Sequence, residues 1–479
     1  MTLITYPEIS GIPQRHEFSV RIRQAEQDWH SLTAYEANVD MHNVRQASFV
    51  SFDMEGPVEV EITVHAAAID SAVIRPLSYQ ITFEQSADKL YFQLDQPRKL
   101  SIEINGERFS NLHLFANPIE HDAPDPASPN IVLVKPGIHR SEHLLRPLTT
   151  PRTPGEAEPD VLYFLPGLHY IEETLLRIPS GKTVYIAGGA AVAGSMVCDH
   201  VEDVTVRGRG FIYLAEFHRF TAFRGVRIMF SRNIAIEGIT TINPPHYSIY
   251  IGQSEHISIR NFKSFSCKGW SDGIDLMSSS HIDIDDVFLR TSDDCIAIYG
   301  SRWDYYGDSS HITVRNSSFW ADVAHPLMIG THGDYHRSGD TIEHIRFENL
   351  DILEHHEVQE NYQGAMTINA GDLNTVRDVL YDNIRVEHFE LGRLFDIRVV
   401  WNKDYNPAPG NRIEQIVLQN IEYNGEGAKP SRIHGYNEER PVTGVTLRNV
   451  RVNGELLLDA SNESLDMNEH ARQISFEEQ

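Results

Sequence analysis

Nine times between residues 204 and 450 the chain repeats one six-residue unit, apolar-x-apolar-x-[Asn/Asp/Gly]-x: "VTVRGR" from 204, "IAIEGI" from 234, "ISIRNF" from 257, "IDIDDV" from 282, "ITVRNS" from 312, "IRFENL" from 345, "VLYDNI" from 379, "IVLQNI" from 416 and "VTLRNV" from 445. Successive starts lie 30, 23, 25, 30, 33, 34, 37 and 29 residues apart. A core of some two dozen residues with insertions of varying length is the mark of a coiled solenoid, in which each repeat buries its apolar face against the next. The period-two alternation and the β-branched residues exclude helical repeats. The expected fold is therefore all-β, a right-handed parallel β-helix. Asn261, Asn316, Asn349, Asn383, Asn420 and Asn449 share one place in the unit. They are read as an internal ladder, each side-chain amide bonding the next coil.

Ahead of the repeat, residues 35 to 117 alternate apolar and polar positions in short runs such as "VEVEITV", "LYFQL" and "KLSIEINGE". That pattern predicts antiparallel strands in a β-sandwich. Two proline-rich stretches, "NPIEHDAPDPASPN" and "RPLTTPRTPGEAEPD", read as a linker. The organisation expected is a sandwich with its linker over 1–155, the β-helix over 156–460 and a polar tail over 461–479.

The chain has 479 residues, with 68 acidic against 41 basic side chains and a formal charge of −27. This balance argues against nucleic acid or an anionic membrane as partner, and it also runs against a highly charged polyanionic substrate. No apolar run approaches a membrane span, and the first residues lack a basic segment followed by an apolar one, so a cytoplasmic location is expected. Intracellular trimming of oligosaccharides by exo-action would fit that location. Three widely spaced cysteines, Cys198, Cys267 and Cys295, suggest neither a disulfide framework nor zinc and read as buried small hydrophobes.

Within the repeat, "SDGIDLMSSSHIDIDDVFLRTSDDCIAI" (271–298) places Asp272 and Asp293 twenty-one residues apart and follows Asp293 with Asp294. One coil advances a residue by about 4.8 Å along the axis. A spacing close to the shortest coil therefore stacks Asp272 and Asp293 on one external face. Carboxylates this close cannot ionise independently, so one stays protonated while another remains a base. Hydrolysis of a glycosidic bond uses such a pair, an acid for the leaving oxygen and a base for water. A calcium site or a solvated acidic turn stands equal to it on spacing alone.

The same stretch resembles the motif of glycoside hydrolase family 28, the polygalacturonase group, in which Asn-Thr-Asp-Gly-[Ile/Phe]-Asp is followed one coil later by Asp-Asp-Cys-[Val/Leu/Ile]-Ala-[Val/Ile]. "AHPLMIGTHG" (324–333) is similar to that family's Gly-His-Gly stretch and puts His325 on its histidine. The resemblance covers roughly residues 160 to 455. It implies Asp293 as general acid, Asp272 and Asp294 as bases holding water, and His325 as support for the acid. Asn-Thr is replaced here by Trp270-Ser271, and the family's Arg-Ile-Lys motif is absent; Arg398 in "LFDIRVVWN" is the nearest candidate. The leading sandwich, "YFLPGLHYI" and "DDCIAIY" are also similar to glycoside hydrolase family 49, the dextranase and isopullulanase group, which acts on neutral α-glucans. Both families invert, and inversion is expected here on that ground, although acids about 5 Å apart suggest retention by the carboxyl-separation rule.

Insertions after the strands are expected to form loops around a cleft for an oligo- or polysaccharide. "GSRWDYYGDSS" (300–310) supplies Arg302, Trp303, Tyr305 and Tyr306, and Trp270 precedes the catalytic strand, so these aromatics either stack on sugars or anchor the loop. His332, Asp334 and His336 have metal-like spacing without a recognisable fourth ligand, so His332 and Asp334 are read as a polar subsite and no metal or cofactor is expected. Arg398 and Asn402 are further sugar contacts. Two rivals to hydrolysis remain: a calcium-dependent polysaccharide lyase with Arg302 or Arg398 as base, and a non-catalytic carbohydrate-binding β-helix.

Overall fold

The computed structural model describes residues 2–25, 27–150, 158–218, 221 and 223–478. The expected domain boundary at 155/156 falls outside these residues. Two sheets make the N-terminal sandwich. One orders strands Thr2–Ile4, Arg45–Glu55, Glu107–Pro118, Arg98–Ile104 and Ala72–Arg75, with Tyr35–Val39 also on Arg45–Glu55; the other orders His30–Leu32, Phe18–Arg23, Val58–Val64, Lys89–Leu94 and Phe83–Ser86. Their facing alternate residues, among them Phe18, Ile22, Phe52, Val60, Leu90 and Leu112, form one apolar core.

The remainder is a right-handed parallel β-helix of 30 strands in a single sheet. Each coil contributes to three ladders. The first ladder stacks the starts of the repeat in register: Val204, Ile234, Ile257, Ile282, Ile312, Ile345, Val379, Ile416 and Val445 pair in sequence. Ladder pairing begins at Ile131–Val134 on Val161–Phe164, within what the sequence reads as linker. The helix Ser141–Thr149 lays Leu144 and Leu148 on the apolar interior of these first coils.

Two expectations are corrected. The asparagine ladder is external, not internal: Asn316, Asn349, Asn383 and Asn420 are exposed. Asn349 Nδ2 donates to Asn316 Oδ1 at 2.7 Å, Asn383 to Asn349 at 3.2 Å and Asn449 to Asn420 at 3.0 Å. The cause is backbone geometry. Every residue at this place turns the corner between the first and second ladders with positive φ, from 48° at Asn261 to 126° at Gly208. Glycine, asparagine and aspartate tolerate that region best. The supposed polar tail is the last coil: Ala471–Glu477 pairs in parallel with Val442–Val452, setting Ile474 on Val445 and Phe476 on Leu447.

The sandwich docks on the outer face of the second ladder. Phe49 stacks on Phe265 with centroids 5.2 Å apart, and Phe115 meets Phe288 at 5.2 Å. Polar groups fix the docking register. Arg209 reaches Asp53 at 3.0 Å, and Arg290 binds Asp322 at 3.1 Å and Asn111 at 2.8 Å. Lys263 Nζ donates to Asn117 Oδ1 at 3.1 Å and to the carbonyls of Gly238 and Asn261 at 2.7 and 2.8 Å. Burial holds that amine well below the usual lysine range. With the second ladder covered and the first lined by the asparagine corner, the third ladder is the face that carries the site.

The corner geometry predicts a ranked pair of stabilities. Asn349→Ala should lose about 1 to 2 kcal/mol, because alanine disfavours positive φ and cannot make the ladder bonds, whereas Asn349→Gly should lose less. Urea midpoints of the two variants measure this, and equal losses would contradict a conformational origin.

Candidate active site

The site lies where the chain enters the third ladder. Strand Ile274–Met277 pairs with Ile296–Tyr299 with Ile274 opposite Ile296, an offset of 22 and not 21. Asp272 therefore sits over Asp294, and the Gly273 N–H donates to the Asp294 carbonyl at 2.8 Å. This corrects the expectation that Asp272 stacks on Asp293. Asp293 lies beside the stack. Asp272, Asp293 and Asp294 each present one oxygen within 4.8 Å of the others, and among the described residues they are the one such group of His, Cys, Asp or Glu that could hold a cation.

Each carboxyl has a different environment. Asp293 accepts the Trp270 N–H at 2.7 Å and the Asp294 N–H at 3.1 Å. Trp270 aims its N–H there from a left-handed backbone, φ 65°, a conformation costly for an aromatic residue. Burial, then the Asp294 carboxylate, pushes Asp293 up to about 7. Asp294 accepts both Nδ1 and the backbone N–H of His325, at 2.7 and 3.1 Å. The histidine's partner is thus Asp294 and not Asp293. Burial lowers an imidazole, but the Asp294 carboxylate outweighs it and raises His325 to about 9. The remaining His325 nitrogen bonds the Tyr362 carbonyl.

Sequence reasoning missed Asp275, which is fully buried. It belongs to the same quoted motif, and the alternation of strand Ile274–Met277 turns it outward with Asp272. Asp272 and Asp275 are buried together, and both are pushed well above the carboxylate range by burial first; neighbouring negative charge adds to this for Asp272, while Arg302 opposes it for Asp275. Arg302 Nη1 lies 3.6 Å from Asp275 Oδ2 and balances part of this charge. Tyr299, on the next rung, points its hydroxyl at Asp294 Oδ2 at 3.4 Å.

The other candidate residues divide. Trp270, Trp303 and Tyr306 are 51%, 45% and 55% exposed, and Trp270 reaches the cluster through its backbone N–H on Asp293. Arg302, Trp303, Tyr306, His332 and Asp334 line a cavity of about 450 Å³. His332 is held well below the usual imidazole range by burial and then by Arg302. Tyr305, a candidate sugar contact or loop anchor, is buried against Phe230 and donates to the Tyr250 hydroxyl at 3.4 Å, which makes it an anchor of its loop. Arg398 is tied to both oxygens of Asp396 at 2.6 and 2.7 Å. Asn402 caps its own turn, its side chain accepting the Asp404 N–H at 3.2 Å. The coil that follows His325 presents Thr367 and Asn369 outward, with Arg398 on the rung after Asn369.

The model of glycosyl hydrolases family 28 matches residues 219–471, more than half of the chain. The chain belongs to glycosyl hydrolases family 28. It is 22% identical over 260 residues to a probable endo-xylogalacturonan hydrolase A of Aspergillus fumigatus, covering 50% of this chain and 60% of that one. It is 26% identical over 201 residues to endopolygalacturonase B of Emericella nidulans, covering 40% and 49%. The chain spans about half the length of the curated relatives it matches. Among solved structures, Dex49A from Penicillium minioluteum superposes with a TM-score of 0.65 at 15% identity over 99% of this chain and 96% of that one, a likeness of fold. No described helix is long and apolar enough to cross a membrane.

The environment of Asp293 sets a pH profile for this family 28 member. A raised value keeps the carboxyl protonated, and so able to donate, up to about neutral pH; activity should fall as pH rises through about 7. A rate profile of kcat/KM measures this, and a basic limb below pH 5 would contradict it.

Proposed function

We propose that this chain is an inverting glycosidase that hydrolyses α-linked, galacturonan-type poly- or oligosaccharide. One observation carries the reading: a carboxyl held protonated to about pH 7, Asp293, lies within 4.8 Å of Asp294, whose charge the His325 imidazolium balances. Acid and base are thereby separated by environment within one cluster, as glycoside hydrolysis requires.

Asp293 gives its proton to the glycosidic oxygen as the bond to the anomeric carbon breaks. Water held by Asp294 and Asp272 attacks that carbon and loses its proton to the Asp294 carboxylate. His325 is a positioning residue, holding Asp294 through Nδ1 and its backbone N–H. Arg302, beside Asp275 and behind Asp272, balances part of the charge of the cluster. The names of the relatives, hydrolases of xylogalacturonan and polygalacturonate, support a galacturonan-type substrate. Inversion is carried over from the resemblance to the two inverting families, against a carboxyl spacing within 4.8 Å that by the separation rule alone favours retention.

Release of reducing ends from oligogalacturonides, with isomalto- and panose-type oligosaccharides as the comparison, tests the substrate. Asp293→Asn should lower that release by more than about a hundredfold, the scale of general-acid loss. Proton NMR of the first-formed product should show the inverted anomer; a retained one would make Asp272 or Asp294 a nucleophile. A chelator should leave the rate unchanged. Chelator-sensitive formation of an unsaturated product absorbing in the ultraviolet would instead establish a lyase.

A further inference from the structure

In a chain with so large an acidic excess, partly buried arginines are expected to find carboxylates, and most here do: Arg75, Arg209, Arg290, Arg398 and Arg432 are all paired. Arg224 and Arg227 are different. Among the described residues neither makes an ion pair, and the Nε of each is buried without a hydrogen-bond partner. The nearby acid Asp199 is already engaged by Arg177 at 3.2 Å and His200 at 2.7 Å. Burial, with the like charges of Arg224 and Arg177, pushes the Arg227 guanidinium below its ordinary value. Two half-buried cations side by side with no counter-ion are destabilising unless an anion visits them.

Their position is also informative. Arg227 stands opposite Tyr250, and Tyr250 opposite Asp275, so the three occupy consecutive rungs of one outward column of the third ladder. Two rungs are about 10 Å, within the span of a short oligosaccharide seated over Asp293. The Arg224 guanidinium lies 5.0 Å from the centroid of the half-exposed Trp303 ring and 4.9 Å from that of Tyr250. Trp303 thus stands between the carboxyl cluster and the arginine pair, the Arg302 guanidinium being 4.8 Å from the centroid of the same ring.

We propose that Arg224 and Arg227 are a receptor for the carboxylate of a uronosyl residue, seated two rungs ahead of the carboxyl cluster with Trp303 as the platform for the sugar. This rests on the reading of the chain as a glycan hydrolase and names the charge its cleft selects. Recognition of the anion falls to this end of the cleft, since the coil beyond His325 offers Thr367 and Asn369 and the Arg398 fork is occupied. The planar, always charged guanidinium suits a carboxylate in a way a neutral donor does not.

Calorimetric titration of the full chain carrying Asp293→Asn separates binding from turnover. Tetragalacturonate, its methyl ester and isomaltotetraose serve as probes. Adding Arg224→Gln or Arg227→Gln should weaken tetragalacturonate by at least about tenfold, leave the methyl ester unchanged, and be partly rescued by Arg→Lys. Rising salt should weaken the acid and spare the ester in the unsubstituted arginine background, a measurement that needs no arginine variant to fold. Equal losses on acid and ester, or undiminished binding of the acid, would overturn the receptor. Arginine-dependent binding without release of reducing ends by the chain with Asp293 intact would leave the receptor standing and remove the hydrolytic reading.

Discussion

The structure depends on the backbone hydrogen bonds that run from coil to coil. Their spacing of about 4.8 Å leaves no freedom in which residue lies over which. Once Ile274 is opposite Ile296, Asp272 must sit over Asp294 and Gly273 must bond the Asp294 carbonyl. The carboxyl cluster is therefore imposed by the ladder. The apolar interior supplies the stability that allows the acids to be so close: Ile274, Leu276, Ile296 and Ile298 point inward on the same strands whose starts carry the acids.

Neighbouring charges then divide the cluster. Among the described residues, the cationic side chain bonded to Asp294 is His325, the one paired with Asp275 is Arg302, and Asp293 accepts from backbone N–H groups. Three like side chains become unlike groups because their partners differ, and this is the general route by which one residue type serves as acid and base at a single pH. The left-handed backbone at Trp270 is part of the arrangement, since it turns an N–H toward Asp293 that an extended strand would turn toward its neighbour.

Much of this was legible in the sequence, for reasons that also mark where legibility stops. The period-two repeat reports burial, so the starts Val204 to Val445 located the first ladder correctly. The recurrent asparagines reported a constraint, but a left-handed corner and an internal amide ladder leave the same trace; side-chain exposure separates them. Spacing anticipated that Asp272, Asp293 and Asp294 cluster, yet Asp272 and Asp293 at 21 against an offset of 22 is a one-residue distinction that only hydrogen-bond register resolves. Tyr305 has a buried hydroxyl partner that composition does not reveal, whereas the partner of Arg398, Asp396, stands two residues earlier in the quoted "LFDIRVVWN" and was readable from strand alternation. Asp275 was in the quoted motif and readable from strand alternation. Arg224 and Arg227 carry no motif, since what distinguishes them is the absence of a partner in space.

The last described strand, Ala471–Glu477, shows how a rung can be polar in composition and still belong to the solenoid. It interleaves Ile474 and Phe476 with Arg472, Gln473, Ser475 and Glu477, and Arg448 holds Glu477 at 2.6 Å. The polarity that makes this segment resemble a tail is thus carried by its outward residues, while two side chains in alternate positions continue the apolar column of the coil before it.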